Sequence, residues 1–369
     1  MSDVLARIRV RETAGIRRFL YPLAATVELP TGIDSTSLGW SGSRGDAVPL
    51  QILPVSDREH RLDFALSLAP MEERTFELTA GGFRFPIPDS LHVEAAPDGD
   101  LHSRQERVSF DILRDGSIHQ VTYDGLSHLR ETSRVINMIY AGSATPVIKA
   151  TRSEIGPLTT RLTTEGTHTL DHMTREGRTV QIRKMPFKTT TEITACKSWI
   201  KKTFSSEASS GWIIFDLNFS TSSMPLLCDF GIGGGIYGKM TAAANLALYV
   251  EEVKDDVRQW KIFVTDENGR HVREECRGCT STPWQSEMWF HLIDADKSLA
   301  VALTQVPAAS EINIRLTASG HTSIEFIGNG NGPSEFGVCY HFLNNVPAIA
   351  AATNPQSILL PPIVEVLPV

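Results

Sequence analysis

Apolar and polar residues alternate with a period of two from the start of the chain: Leu5 to Val10 reads LARIRV, and ATVELP, HRLDFALSL and ERTFELTA repeat the pattern. That period sends successive side chains to opposite faces, so each run predicts a short, half-buried strand. Clusters of Gly, Pro, Asp and Ser separate the runs. The strand-rich stretch ends at Ala80-Gly81-Gly82, and Pro86, Pro88 and Pro97 follow, each lacking the N–H that a ladder needs. This predicts a small N-terminal β-sandwich module over residues 1–100 ahead of a second unit over residues 101–369.

The second unit opens with VSFDILRDGSIHQVTYDG, two alternating runs around Asp115-Gly116, a strong hairpin signal because glycine tolerates positive φ. Further runs follow: PVIKATRSEIG, LTTRLTTEG, RTVQIRKMPF, KTTTEITACKSWIKKTF, GWIIFDLNFS, NLALYVEEV, RQWKIFVTD, EMWFHLID, SLAVALTQV, EINIRLTA and TSIEFIG. Turn signals recur at sandwich or barrel spacing, and no βαβ pattern or fixed internal repeat emerges. The helix candidates are short, Met240 to Leu248 and Val346 to Ala352. The apolar C-terminus, SILLPPIVEVLPV, is interrupted by proline and predicts an edge strand. The expected fold is all-β: the N-terminal sandwich module, then a large antiparallel β-supersandwich.

Composition narrows the function. The chain has 369 residues, 41% hydrophobic and 21% charged, enough for a real core. Its net charge of -8 and the absence of long Lys/Arg runs remove the footprint of phosphate-backbone binding, so no nucleic acid partner is expected. No apolar run has signal-peptide or transmembrane length, so the chain reads as cytoplasmic with no membrane partner, and a homo-oligomer stays open. Five scattered cysteines point to reduced thiols. Cys276 and Cys279 have half a zinc site's spacing without a second pair, so no metal is expected. Neither a nucleophile elbow, a zincin motif, a P-loop nor a Rossmann fingerprint occurs, and no cofactor is expected.

Phe110 to Ile118 (FDILRDGSI) leading to Tyr123-Asp124-Gly125, then Gly156-Pro157-Leu158, and later Trp289-Phe290-His291-Leu292 followed by Ala300 to Leu303, form a pattern that resembles the galactose-mutarotase-like supersandwich. The resemblance covers about residues 100–345 and is one of pattern, without a catalytic signature. It implies a carbohydrate-active protein with a saccharide as ligand: a polysaccharide lyase, a glycoside hydrolase sandwich or an aldose epimerase. No epimerase motif carries over.

The densest polar cluster runs from Arg161 to Arg183 and contains Arg161, Glu165, His168, His172 and Arg183. β-Elimination beside a uronate needs a cation, a base and an acid, which Arg, His and Tyr supply. If LTTRLTTEG is a strand, Arg161 and Glu165 share one face, and His168 and His172 fall on the loop beyond it. The alternative for Arg161 and Glu165 is a solvated strand face. A second segment, Cys228 to Gly238, holds five glycines in eight residues and places Asp229 and Tyr237 at a cleft rim, unless it is only a glycine-rich connection. The catalytic candidates are therefore His168, His172, Tyr237, Arg161 and Glu165. Candidates for substrate binding are Arg183, Asp229, Trp284, Trp289 and His291, with Trp212 and Tyr340 as further aromatics, Trp212 fitting a core better than a stacking platform. These residues predict a lyase acting on a uronate-containing saccharide. The alternatives are a hydrolase using Glu165 and Asp229, an epimerase, and a non-catalytic saccharide-binding or assembly subunit.

Overall fold

The computed structural model describes residues 3–41, 48–139, 142–143, 145–170, 173–175, 178–180, 183–207, 212–220, 227–232, 236–240, 244–254, 257–266, 271–278, 289–294, 296–305, 311–316, 320–327, 334–344 and 353–369. Among them the chain is all-β apart from a one-turn 3-10 helix at Ser35–Ser37 and one short α-helix, Thr353–Leu359. No helix among the described residues is long and apolar enough to cross a membrane.

The predicted N-terminal strands form two small sheets. Val4–Arg11 lies between Glu73–Ala80 and Ile363–Leu367 in one, and Glu59–Leu68 lies between Arg18–Glu28 and Leu50–Pro54 in the other. The C-terminal strand is an edge strand as expected, and the chain thereby returns from the second expected unit to the first. Its register on Val4–Arg11 sets Glu365 against Arg9 and Arg11. Arg18, buried against Glu12, donates to the carbonyls of Ser357 and Leu360 and so ties down the end of the helix.

The Asp115-Gly116 hairpin forms between Val108–Ile112 and Ile118–Tyr123. Its turn holds because Gly116 adopts φ +79° and the Asp115 carboxylate accepts from the Ser117 N–H at 2.8 Å. Val108, Phe110 and Ile112 point inward, as their alternation requires.

Among the described residues this hairpin belongs to a five-stranded sheet, Met173–Arg175 and Arg178–Val180 form a two-stranded one, and two nine-stranded antiparallel sheets make up most of the rest. The middle sheet runs Thr145–Glu154, Thr159–Leu170, Arg183–Thr194, Trp199–Ser206, Ser334–Asn344, Lys297–Gln305, Trp289–Ile293, Leu227–Ile232, Ile236–Met240. The outer sheet includes Val135–Ile139, Trp212–Phe219, His321–Ile327, Glu311–Leu316 and Ala244–Lys254. One face of the middle sheet presents Phe290, Leu292, Val301, Val338 and Phe342 to Phe215, Phe219, Ile324 and Phe326 of the outer sheet. Its other face presents Trp199, Trp289, Ala302 and Cys339 to Tyr21, Leu23 and Phe64 of the N-terminal module. The strands WFHLI and KSLAVAL are consequently buried at every position, where alternation would have left one face wet.

The helix expected over Met240 to Leu248 is instead strand: Ile236–Met240 and Ala244–Lys254 flank the undescribed residues 241–243. Ala244–Lys254 pairs with Val257–Asp266 and Glu311–Leu316, and this pairing overrides the helix propensity of its alanines. The observed helix begins just after the second candidate, Val346 to Ala352, which lies outside the described residues.

Gln51 joins the module to the middle sheet. Its amide donates to the Thr159 carbonyl at 2.9 Å and accepts from the Leu158 and Thr159 N–H groups at 3.0 Å each. A Cβ on Gly156 would meet the Gln51 side chain at 2.2 Å, so this approach requires glycine. Gln51→Leu should lower unfolding stability by about 2–4 kcal/mol, because buried backbone groups lose their partner. Urea titration reads this directly, and an unchanged midpoint would remove Gln51 from the joint.

Candidate functional site

Thr159–Leu170 divides the leading sequence candidates between its two faces. Leu162 lies in the core against the outer sheet, and His168 shares its face by period two. Arg161 and Glu165 share the opposite face, as the alternation predicted. His168 is not on a loop: the strand continues through Leu170, pairing His168 with Met185. Its ring stacks on Phe187 at 4.2 Å between centroids, with Phe204 beyond. Burial pushes its pKa down to about 4, so the ring is neutral near pH 7 and packs as an aromatic.

Arg161 bridges the middle sheet and the module. Its guanidinium donates to both Asp63 carboxylate oxygens, at 2.7 and 3.0 Å, and its Nε donates to Glu192 at 2.7 Å. Arg61 and Lys201 complete the network around Asp63 and Glu192. Burial opposes the Arg161 charge, but the facing carboxylates more than offset it and hold the pKa above the ordinary guanidinium value. Burial likewise works against the Glu192 charge, and Lys201, Arg161 and Arg61 outweigh it, holding that carboxyl below its usual range. Arg161 is thus committed to a structural ion network and faces away from His168.

Other candidates are closed in. Trp289 and His291 lie on the module-facing side of a strand buried at every position, so the saccharide-contacting role expected of them meets packed protein instead. Burial pushes the pKa of His291 down to about 4 and that of His341 to about 3. Tyr340 is buried in the opposite core. Lys202, buried between Ile200 and Phe204 on the core face, has its pKa pushed down to about 8 by that burial.

The glycine-rich segment is not a continuous loop, since Leu227–Ile232 and Ile236–Met240 form a strand pair. Asp229 pairs with His291 in register and Tyr237 pairs with Gly231. Five strands separate Leu227–Ile232 from Thr159–Leu170 in the sheet. That is about 29 Å along the sheet at ~4.8 Å per strand, so the structure does not bring Asp229 or Tyr237 to Arg161, Glu165 or His168. The side chains of Arg183, Asp229, Tyr237, Trp212 and Cys276 lie outside the described residues, as do His172, Trp284 and Cys279 altogether.

Glu165 opens into a groove of about 610 Å³ lined by Lys149, Pro186, Phe187, Lys188, Glu207 and Glu335. Its cross-strand row runs through Lys188 and Ser205 to Glu335. Two carboxylates thus flank a cation and a hydroxyl, donors and acceptors that suit sugar hydroxyls. Glu165 and Glu335 stand about 14 Å apart along the row at ~4.8 Å per strand, wider than the roughly 5–9.5 Å of a glycosidase acid pair. The sequence did not single out Asp216 and His321, which the outer sheet brings into a hydrogen bond across 105 positions. Neither has a local motif to announce it.

No known family profile matches the chain, and no curated protein matches it in sequence. Among solved structures, an α-mannosidase from Enterococcus faecalis V583 superposes with a TM-score of 0.60 at 11% identity, over 98% of this chain and 46% of that one. A protein of glycosyl hydrolase family 38 from Enterococcus faecalis superposes with a TM-score of 0.59 at 10% identity, over 99% of this chain and 47% of that one. At such identity the likeness shows the fold: an all-β architecture shared with glycosidase-family structures, of which this chain spans about half the length.

Two outcomes test this assignment of groups. Arg161→Met should cost about 3 kcal/mol by removing the buried cation that Asp63 and Glu192 share and leaving only the more exposed Arg61 between them, read as a lower denaturation midpoint. His168 binds a proton near pH 6.5 when unfolded and near pH 4 when folded, so the unfolded chain holds more protons between those values. Stability should therefore rise with pH across that window, and His168→Phe should flatten the slope measured by urea denaturation. An equal slope in both proteins would place His168 in a wetter setting than the one described.

Proposed function

We propose that this chain is a carbohydrate-active β-module of the galactose-mutarotase-like, glycosidase-associated kind, which binds a saccharide in the groove beside Glu165 and acts as a binding or assembly unit. The observation that carries this is the superposition of nearly the whole chain on about half of an α-mannosidase. In support, Glu165 is the sequence candidate that opens into a groove among the described residues.

A lyase needs a cation, a base and an acid around one uronate. Arg161 is held by Asp63 and Glu192, and His168 is packed against Phe187 on the other face of the strand, so the described residues favour binding over elimination. A hydrolase is the second reading, because Glu207 lines the same groove as Glu165.

Titration calorimetry with mannose-containing and other neutral oligosaccharides tests the proposal. Glu165→Gln should weaken binding about tenfold, the loss of one charge-assisted hydrogen bond to a sugar hydroxyl. Hydrolysis of an aryl α-mannoside abolished by Glu165→Gln would establish the hydrolase instead. A rise in ultraviolet absorbance on uronate oligosaccharides would restore the lyase.

A further inference from the structure

The C-terminal helix, Thr353–Leu359, lies on the module-facing side of the middle sheet. Register builds a trough for it there. His341, Ala300 and His291 form one cross-strand row and Cys339, Ala302 and Trp289 the next, so two alanines run between taller side chains. The helix packs on these three strands, and Ile358 and Leu359 join Trp289, Ala302 and Cys339 in one apolar cluster. Beyond the helix the chain continues into Ile363–Leu367, an edge strand paired, among the described residues, with Val4–Arg11 alone. Residues 353–369 thus form a strap, with a short helix on the middle sheet and an edge strand on the N-terminal module.

Polar groups flank the trough without partners. Both ring nitrogens of His291, Nδ1 of His341 and Nε1 of Trp289 are buried and make no hydrogen bond. A neutral imidazole tolerates this at a cost, whereas a buried imidazolium without acceptors does not. The surrounding charges do not relieve it. The helix carries none, and the Arg18 guanidinium holds its end. Lys197 lies over the Trp199 ring, which meets His341 edge-on at 5.6 Å, and its charge disfavours a second cation there. A charge on His291 does the same to His341. Lys201 and Glu192 act on the neighbouring Cys339, Tyr21 meets Trp199 from the module, and Asp229 is the register partner of His291 on the next strand. Burial, the largest influence on both rings, holds them well below the ordinary histidine range.

When these rings take protons a cover must yield, and the strap is the lightest one. Among the described side chains of the helix, Pro355, Ile358 and Leu359 are buried. The body of the module is fixed to the middle sheet more firmly, through Arg161 with Asp63 and Gln51 with Thr159. We propose that residues 353–369 are an acid-released strap, freed from the middle sheet when His291 and His341 are protonated beneath it, which opens the row at Trp289 and His291 to solvent while the two nine-stranded sheets stay folded. The direction follows from linkage. Histidines under the docked strap bind protons more weakly than histidines in water, so release grows as pH falls. The device is independent of the groove at Glu165.

Hydrogen exchange on the full chain, resolved by mass spectrometry and corrected for the intrinsic rate at each pH, tests this. Between about pH 6 and about pH 4.5 the opening of Ile363–Leu367 should grow about tenfold per pH unit for each histidine, while Trp199–Ser206 and Trp212–Phe219 stay protected. His291→Leu combined with His341→Leu replaces groups that lack partners by apolar ones and should leave the opening independent of pH across that window. Ile358→Ala, which loosens the helix without touching either ring, should raise the opening at least tenfold at every pH and keep the parent's slope. His168→Phe, in the opposite core, should leave the slope of the strap unchanged. A strap whose opening does not rise as pH falls, a slope that survives in the double variant, or sheet strands that exchange together with the strap would each overturn the proposal.

Discussion

The centre of the middle sheet is buried on both faces, and most of what the chain does with its polar residues follows from that. A sheet covered on one side can send every second residue to water. Here the outer sheet takes Phe290, Val301 and Phe342, and the N-terminal module takes Trp289, Ala302 and Cys339. Any polar group on these strands must therefore find its partner inside the protein or lose its charge. Arg161, Glu192 and Asp63 take the first course through their shared network. His168 and His291 take the second, each held neutral near pH 7 by burial.

The same constraint decides where chemistry can occur. Residues that look reactive in the middle of the sheet, arginine and histidine in particular, are consumed by the joints between layers. Gln51 serves that purpose with an amide and Arg161 with a guanidinium, one satisfying backbone groups and the other carboxylates. Open polar surface remains at the sheet margins, where the groove at Glu165 lies. Binding sites in a layered β-protein belong at such places, since only there can a ligand reach side chains that a rigid ladder has positioned.

The likeness to glycosidase-family structures fits this picture of a scaffold. A fold shared over nearly the full chain at about one-tenth identity reflects a common way of burying two large sheets and a smaller module. Function on such a scaffold resides in the particular side chains at its openings, and those must be argued residue by residue. Glu165 differs in this respect from Arg161, whose guanidinium already donates to Asp63, Glu154 and Glu192.

The amino-acid sequence alone determined the all-β class, most strand positions, the Asp115-Gly116 hairpin and the C-terminal edge strand. Each of these rests on a local rule: a period of two, a glycine that accepts positive φ, a proline that ends a ladder. It also determined that Arg161 and Glu165 share a face, because parity within one strand is local too. Tertiary structure decided what lay across those faces. Nothing near Arg161 in the chain announces Asp63, which is 98 positions away, and nothing near Asp216 announces His321. Alternation shows that a residue has an inside and an outside; only the packing of a second layer shows whether that outside is water. For Trp289 and His291 it is another β-sheet.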